Sequence, residues 1–259
     1  MLRVVIRTLP SGRTCHVQPF HVCLKGTESS ILCRDDEDYD VLVKIIAVSS
    51  WRKDVIVVIY TVVSNHCHVV VLASSQAEAF AFGEDIKRVY SMWFSRKYDE
   101  KGVLRRIQTS AIWLDSDWYV RNALAYVPRN ALDNGCNVDE YRWSGYSAMF
   151  RKAPIHSGRP VSDLTRREKE RFLHTGANLN SVRWILDGEG HLIPACFCDN
   201  KYLEQVKHDP WPATAAAAKS LQLCPTLCDL RDGSPPGSPV PGILQARTLE
   251  WVAISFSNA

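Results

Sequence analysis

The sequence of 259 residues lacks any run of about 18 uncharged apolar residues, so it predicts no membrane-spanning helix. It also lacks a Cys-x-x-Cys pair, and its nine cysteines are scattered with no repeated spacing. This scatter argues against a disulfide framework and against a zinc ribbon, and it favours a reducing compartment. The first ten residues, MLRVVIRTLP, have neither a long apolar core nor a cleavage site, so we expect no secretory signal there.

A large excess of one charge is absent too, since the net charge is +3 at pH 7. This balance is too mild to indicate a nucleic-acid partner by itself. The basic side chains are nevertheless concentrated in two stretches, 87–106 and 151–171, each with seven Lys and Arg, whereas DDEDYD at 35–40 is acidic. The two basic stretches indicate either a surface that faces a polyanion or ordinary solvated helix faces.

What the sequence does contain is an alternation of strand and helix patterns. Residues 15–24 and 54–63 are typical of strands, and HCHVVVLA follows a Ser-Asn turn as the second arm of a hairpin. Helical patterns follow the acidic stretch, cover 76–98 and recur from about 115 to 127, whereas 102–114 fits either a strand or an irregular crossing. This order predicts an α+β fold in which helices flank an antiparallel sheet.

The character of the sequence changes after about residue 150. Thr165 and Glu168 form a capping-box pattern ahead of a short helix that ends near Gly176. From about residue 209 the chain is first rich in alanine and then dense in proline and glycine, which predicts disorder. We therefore expect a main domain over 1–150, a small helical accessory unit over 151–208 and a disordered tail over 209–259.

Two histidines, His66 and His68, flank Cys67 at the start of the second hairpin arm. Because side chains i and i+2 of a strand lie on the same face, the two imidazoles can share one ligand while Cys67 faces the opposite layer. This arrangement suits two neutral imidazoles on a divalent ion, with a third ligand from another element. The same pattern also fits two exposed strand histidines without a function.

The stretch YVRNALAYVPRNAL at 119–132 places Tyr126 and Asn130 four residues apart, on one face of a predicted helix. An amide oxygen can bind Mg²⁺ or Mn²⁺, and a tyrosine one turn before it would lie beside the metal, as a phosphoryl-transfer nucleophile needs. Tyr119 is the competing nucleophile, because it lies seven residues earlier and so nearly on the same face. Pro128 stands between Tyr126 and Asn130 and predicts a kink.

This combination of residues resembles the HUH-endonuclease superfamily of single-tyrosine transposases, and within it most of all the REP-associated tyrosine transposases. The residues that match, in chain order, are Asn65, His66, His68, Tyr126, Val127, Asn130, Trp143, Ser144 and Tyr146. The resemblance covers about residues 15–150 and departs from the family where Ala131 replaces the usual proline after Asn130. It implies a ferredoxin-like domain and a divalent-metal endonuclease that acts on single-stranded or hairpin DNA.

Carried over to this sequence, the resemblance implies that His66, His68 and Asn130 bind Mg²⁺ or Mn²⁺. It implies that Tyr126 forms a 5′-phosphotyrosine intermediate and frees a 3′-hydroxyl. With one such tyrosine per chain, cutting and rejoining needs either a homodimer or two successive events. The basic residues expected to contact DNA are Lys87, Arg88, Arg96, Lys97, Arg105 and Arg106. The protein would work on DNA in the cytoplasm of a bacterial host, or in the nucleus of a eukaryotic one.

Residues 219–259 resemble the translation of an interspersed repeat of ruminant genomes, so we expect no function from them. The leading interpretation of the chain is an enzyme, a metal-dependent transposase that nicks and rejoins DNA. The alternative is a catalytically inactive, transposase-derived module that only binds nucleic acid, and a third is a relic that is never expressed. A covalent adduct between protein and DNA separates the enzyme from the binding module.

Overall fold

The computed structural model describes residues 4–26, 31–102, 107–150, 158–199, 201–202 and 205. Within these residues the strands are β1 (Val5–Thr8), β2 (Thr14–Lys25), β3 (Ile56–Val62), β4 (His66–Ala73), β5 (Gln108–Trp113), β6 (Arg159–Pro160) and β7 (Ile185–Leu186). The α-helices are α1 (Asp36–Arg52), α2 (Gln76–Tyr98), α3 (Asp117–Arg129), α4 (Tyr146–Phe150) and α5 (Arg166–Phe172). Short 3₁₀ helices lie at Asn130–Asn134, Val161–Asp163 and Pro194–Cys196.

The main sheet places β5, β2, β4 and β3 side by side in that order, and the pairs between them are all antiparallel. The long strand β2 is central: β4 and β5 pair with its second half, and β1 pairs with its first residues. The chain order β2–α1–β3–β4–α2–β5 with this strand order is the split βαβ arrangement of ferredoxin-like folds. The α+β fold with helices flanking an antiparallel sheet is therefore confirmed, and residues 108–113, left open by the sequence, form a strand.

Alternation along the strands gives the sheet two different faces. Cys67, Val69 and Val71 of β4 point into the main core, where they meet Leu42 of α1 and Phe82 of α2. Solvent does not reach this core at Cys67, whose side chain is 0% exposed. His66 and His68, on either side of Cys67, point to the opposite face, and α3 covers that face with a buried row of side chains. The members of that row are Val120, Ala123, Leu124 and Val127.

Side-chain caps set the starts of the long helices. Asp35 and Asp38 form a capping box at the start of α1, and the hydroxyls of Ser75 and Ser116 accept backbone N–H groups at the starts of α2 and α3. Each cap satisfies an N–H group that the first turn of a helix leaves without an intrahelical partner. Since the cap at Ser116 fixes where α3 begins, it also fixes which α3 side chains face the sheet.

The part of the chain from 158 to 199 packs on α1. Its apolar residues share one buried cluster with Ala47 and Val48 of α1. The capping box of Thr165 and Glu168 forms, and α5 ends at Phe172. Residues 1–203 belong to one compact unit.

Some expectations fall on residues that the structure does not describe. The tail at 209–259 lies outside the described residues, and so do Arg105 and Arg106. Among the helices of the described residues, none has the length and apolar character needed to cross a membrane.

Candidate active site

The candidate site lies on the sheet face that α3 covers. Strand β4 presents His66 and His68 there, with 4.8 Å between their ring centroids. The end of α3 presents Tyr126 and Asn130 to the same place: the Tyr126 ring meets the His68 ring edge-on at 5.2 Å, and Asn130 Oδ1 lies 3.2 Å from His66 Nε2. The structure therefore brings together the four residues to which the sequence assigns the chemistry.

The amide of Asn130 is oriented by the end of α3. A helix leaves its last carbonyls without an intrahelical partner, and Asn130 Nδ2 donates to two of them, those of Tyr126 and Val127, each at 3.1 Å. Because both amide hydrogens are used in this way, the amide oxygen is the atom that faces His66. Asn130 is only 3% exposed, so its amide oxygen is held in place and is nearly buried.

Pro128 does not separate Tyr126 from Asn130. It lies inside the last turn of α3, where it removes the N–H that would bind the carbonyl of Leu124. The helix ends one residue later and continues as a 3₁₀ helix from Asn130. Because the proline is so close to the end of the helix, Tyr126 and Asn130 still contact neighbouring histidines of one strand.

Both ring nitrogens of His66 face amide oxygens. His66 Nδ1 lies 2.7 Å from Asn65 Oδ1, and His66 Nε2 lies 3.2 Å from Asn130 Oδ1. In the neutral tautomer that carries its hydrogen on Nδ1, Nε2 and Asn130 Oδ1 are two acceptor atoms that face each other. Neighbouring ligand atoms on one Mg²⁺, bound at about 2.1 Å and at a right angle, lie about 3.0 Å apart. These two atoms therefore fit a divalent metal ion.

Three acidic, cysteine or histidine side chains do not converge into a metal-binding group anywhere among the described residues. A metal site at this place therefore needs the oxygen of Asn130 beside the two histidines. His68 can contribute Nε2, which is buried and has no hydrogen-bond partner among the described residues. The donor set would then be two imidazole nitrogens and one amide oxygen, and of these the amide oxygen is the ligand type that Mg²⁺ and Mn²⁺ prefer.

A third histidine, His21 of β2, belongs to the site and was missed by the sequence analysis. Its Nε2 lies 2.9 Å from His68 Nδ1, and its ring meets the Tyr126 ring edge-on at 6.3 Å. The β2–β4 register places His21 opposite Val70 and His68 opposite Cys23, so the two histidines are diagonal neighbours on one face. Only this register reveals the contact, because 47 positions separate them in the chain.

Burial keeps this histidine pair neutral. Loss of solvent lowers the pKa of His21 from 6.5 to about 4. The pKa of His68 lies well below its usual range, first because of burial and then because of the nearby charges of His21, His66 and Lys25. Both rings are therefore uncharged at neutral pH, and a single hydrogen lies between their facing nitrogens.

The other tyrosine of α3 lies elsewhere. The Tyr119 ring packs edge-on against Trp118 at 5.0 Å, and its backbone N–H binds the cap hydroxyl of Ser116. The ring contacts to the histidines come from Tyr126. Of the two tyrosines of α3, Tyr126 is therefore the one that lies against the histidines.

The segment 143–146 supports the strand beside the site. It runs along the outer edge of β3, where the Val62 N–H donates to the Trp143 carbonyl at 3.0 Å and the Gly145 N–H donates to the Tyr60 carbonyl at 2.9 Å. Between these bonds, Ser144 and Thr61 form a bridge. Because Thr61 pairs directly with His68, this segment fixes the edge of the sheet next to the candidate ligands.

The basic residues assigned to DNA binding have different surroundings. Arg96 is exposed, whereas Lys87 and Arg88 form ion pairs with acidic neighbours one turn away on α2. Lys97 lies in a cluster of carboxylates at the start of α1, with Asp35 at 2.6 Å and Asp38 at 2.8 Å. These carboxylates compensate the charge of Lys97.

A cationic residue that the sequence analysis did not select lies next to the histidines. Lys25 is exposed and stands directly opposite His66 in the β2–β4 register. Directly paired residues of neighbouring strands lie on the same face of a sheet. The site therefore has an ammonium group at its border, where an anionic substrate would arrive.

Comparison with known proteins leaves the family of this chain open. No protein-family model matches it, and no curated protein matches it. A solved structure of a REP-associated tyrosine transposase bound to a REP hairpin aligns with it at a TM-score of 0.41 and 15% sequence identity. The alignment covers 57% of this chain and 88% of that chain, and it is too loose to bear on function.

Proposed function

We propose that this chain is a metal-dependent, single-tyrosine DNA endonuclease and transposase. One observation carries the proposal: Tyr126 and Asn130 from the end of α3 meet His66 and His68 from β4 at one partly buried place. A nucleophile next to a set of metal ligands is the arrangement that phosphoryl transfer requires. The motif resemblance of residues 15–150 supports the same reaction.

Tyr126 acts as the nucleophile in this proposal. Its phenol oxygen attacks a backbone phosphorus, the new O–P bond forms as the P–O3′ bond breaks, and the product is a 5′-phosphotyrosine. The phenol loses its proton, and the departing oxygen takes one up to become a 3′-hydroxyl. The covalent link conserves the energy of the broken bond, so the reverse reaction rejoins a strand without ATP.

His66, His68 and Asn130 hold Mg²⁺ or Mn²⁺ in this proposal. When bound, the metal supplies positive charge that polarises the scissile phosphate. Asn65 fixes the ring of His66 by accepting its Nδ1 hydrogen, and the carbonyls at the end of α3 fix the amide of Asn130. Such partners keep ligand atoms in place before the metal arrives, which raises affinity.

The substrate in this proposal is single-stranded or hairpin DNA. Lys25 beside His66 and the exposed Arg96 supply positive charge for its phosphates. One nucleophile per chain requires either a homodimer or two successive reactions for a complete transposition. The protein would act wherever the DNA of its host lies, in the cytoplasm or in the nucleus.

An adduct assay on the full chain tests this function. The chain is incubated with labelled single-stranded and hairpin oligonucleotides and Mn²⁺, and a denaturing gel separates protein-linked DNA. We expect a shifted band that Tyr126→Phe and His66→Ala abolish. The matched control is Tyr119→Phe, which removes the same hydroxyl from the same helix and should leave the band unchanged.

The other outcomes have definite meanings. A band that is lost only in Tyr119→Phe would keep the enzyme class and move the nucleophile to Tyr119. DNA binding without any adduct across a diverse pool of oligonucleotides would replace the enzyme by a catalytically inactive binding module.

A further inference from the structure

We propose that His21 is a positioning residue for metal binding: it accepts a hydrogen bond from His68 Nδ1–H and so leaves the lone pair of His68 Nε2 for a divalent cation. This inference rests on the metal-dependent function proposed above. It assigns a task to a buried side chain that touches neither the phosphate nor the metal.

The contact between the two rings is a directed hydrogen bond. His21 Nε2 and His68 Nδ1 lie 2.9 Å apart, and the ring planes differ by only 19°. The 2.9 Å separation is that of an ordinary hydrogen bond between two nitrogens, so one ring donates an N–H and the other accepts it. His21 is 0% exposed and His68 is 1% exposed, so water cannot substitute for either partner.

Only one of two hydrogen arrangements permits a metal ion at His68. If His68 Nδ1 donates, its Nε2 carries a lone pair. If His21 Nε2 donates, His68 must carry its hydrogen on Nε2, where it blocks any metal ion. The outer nitrogens of the pair, His21 Nδ1 and His68 Nε2, have no hydrogen-bond partner among the described residues. A cation at His68 Nε2 satisfies one of them and selects the first arrangement.

His21 Nε2 therefore does more than fill space next to His68, because it accepts the hydrogen of His68 Nδ1. An apolar side chain of the same shape at position 21 would fill the space but would offer no acceptor for His68 Nδ1–H. Metal-ligating histidines generally use their second nitrogen as a donor to such a partner, and loss of the partner weakens metal affinity by about 10–100-fold.

Mn²⁺ binding to the full chain, followed by the electron paramagnetic resonance signal of free Mn²⁺, tests the inference. His21→Phe keeps a ring without an acceptor and should raise the Kd roughly 10–100-fold. His21→Gln places an amide oxygen near the former Nε2 and should recover most of the affinity. The matched control is His16→Phe, which changes an exposed histidine of the same strand and should leave the Kd unchanged.

A second measurement reads the hydrogen positions directly. In the Mg²⁺-loaded wild-type protein, ¹⁵N nuclear magnetic resonance of the imidazoles should find the hydrogen of His68 on Nδ1 and no hydrogen on His21 Nε2. The reverse assignment would overturn the role of His21 without any substitution. A thermal melt of each variant shows whether it folds. If His21→Phe does not fold, the spectrum of the wild-type protein still tests the role of His21.

The failure of this inference differs from the failure of the proposed function. If wild type binds Mn²⁺ no more tightly than His66→Ala does, the metal site itself is absent. If wild type binds Mn²⁺ tightly, His66→Ala does not, and folded His21→Phe binds like wild type, then the site stands and His21 has only a packing role.

Discussion

At the scale of single residues, burial decides which side chains of the site carry charge. His21 and His68 are enclosed between the sheet and α3 and stay neutral at neutral pH. His66, at the border of the site, bridges the exposed Asn65 and the buried Asn130. A metal ion would therefore find neutral imidazoles already in place and would displace no proton from His21 or His68 at neutral pH.

Because burial lowers the pKa of His21, we expect the folded protein to lose stability in mild acid. The folded-state pKa of His21 is about 4 and the ordinary value is 6.5, so between these values the unfolded chain binds more protons than the folded chain. Stability is therefore full above the ordinary pKa and falls as the pH is lowered towards 4. His21 should account for a loss of about 2 kcal/mol between about pH 7 and about pH 5.

Urea unfolding of the metal-free protein at the two pH values measures this loss. His21→Gln should show a smaller difference between them than wild type, because it removes a titrating group. His16→Gln, on the exposed part of the same strand, should retain the wild-type difference. Equal pH dependence in wild type and His21→Gln would contradict the prediction.

At the scale of elements, the site depends on how closely the helices approach the sheet. Helix α2 meets β2 and β5 at Gly83, where a Cβ atom would stand 2.5 Å from Thr109 Cγ2 and 2.9 Å from Val22 Cγ1. Only a glycine permits this approach. The strand that α2 presses on, β2, carries His21 on its opposite face, so the packing of one face positions the histidine of the other.

Gly83→Ala tests which of two opposing effects on stability is larger, helix propensity or overpacking of the core. Alanine favours a helix over glycine by about 1 kcal/mol, whereas overpacking of a filled core costs about 1–3 kcal/mol and sometimes more. Because two methyl groups must move, we expect a net loss of about 1–2 kcal/mol in the free energy of unfolding, measured with urea.

Gly188→Ala is the matched control, since a Cβ atom there meets nothing within 4 Å. It should change stability by less than about 0.5 kcal/mol. A stability gain in Gly83→Ala would mean that helix propensity outweighs the packing at this position.

At the scale of the whole molecule, the two apolar clusters share α1. One side of the helix contributes Val41, Leu42 and Ile45 to the main core. The other side contributes Ala47 and Val48 to the cluster formed by residues 161–192. Because one rigid helix belongs to both clusters, we expect residues 158–199 and the sheet to unfold together.

Leu173→Ala tests this cooperativity. Leu173 is 0% exposed within the second cluster, so its truncation should lower the free energy of unfolding by about 2–5 kcal/mol. Hydrogen exchange should then become faster in α1 as well as in residues 158–199. Leu132→Ala, at a position that is 39% exposed, is the control and should leave both regions protected. Faster exchange confined to 158–199 would indicate a separate unit.

The sequence by itself determined the local elements and the residues of the proposed chemistry. Alternation predicted β2, and β-branched, almost continuously apolar stretches predicted β3 and β4. The alternating faces of a strand separated His66 and His68 from Cys67, and helical spacing joined Tyr126 to Asn130. These relations are short in sequence, so no knowledge of the tertiary structure was needed to find them.

Tertiary structure alone decided the contacts between distant elements. His21 meets His68 because of the register of β2 on β4, and the alternation of β2 says nothing about its partner. The ion pairs of Lys97 with Asp35 and Asp38 at the start of α1 also join distant parts of the chain. The cluster that residues 161–192 share with Ala47 and Val48 of α1 could not be read from the sequence either. Pairing and packing depend on which surfaces of distant elements meet. A sequence pattern describes the faces of one element and does not say which other element packs against them.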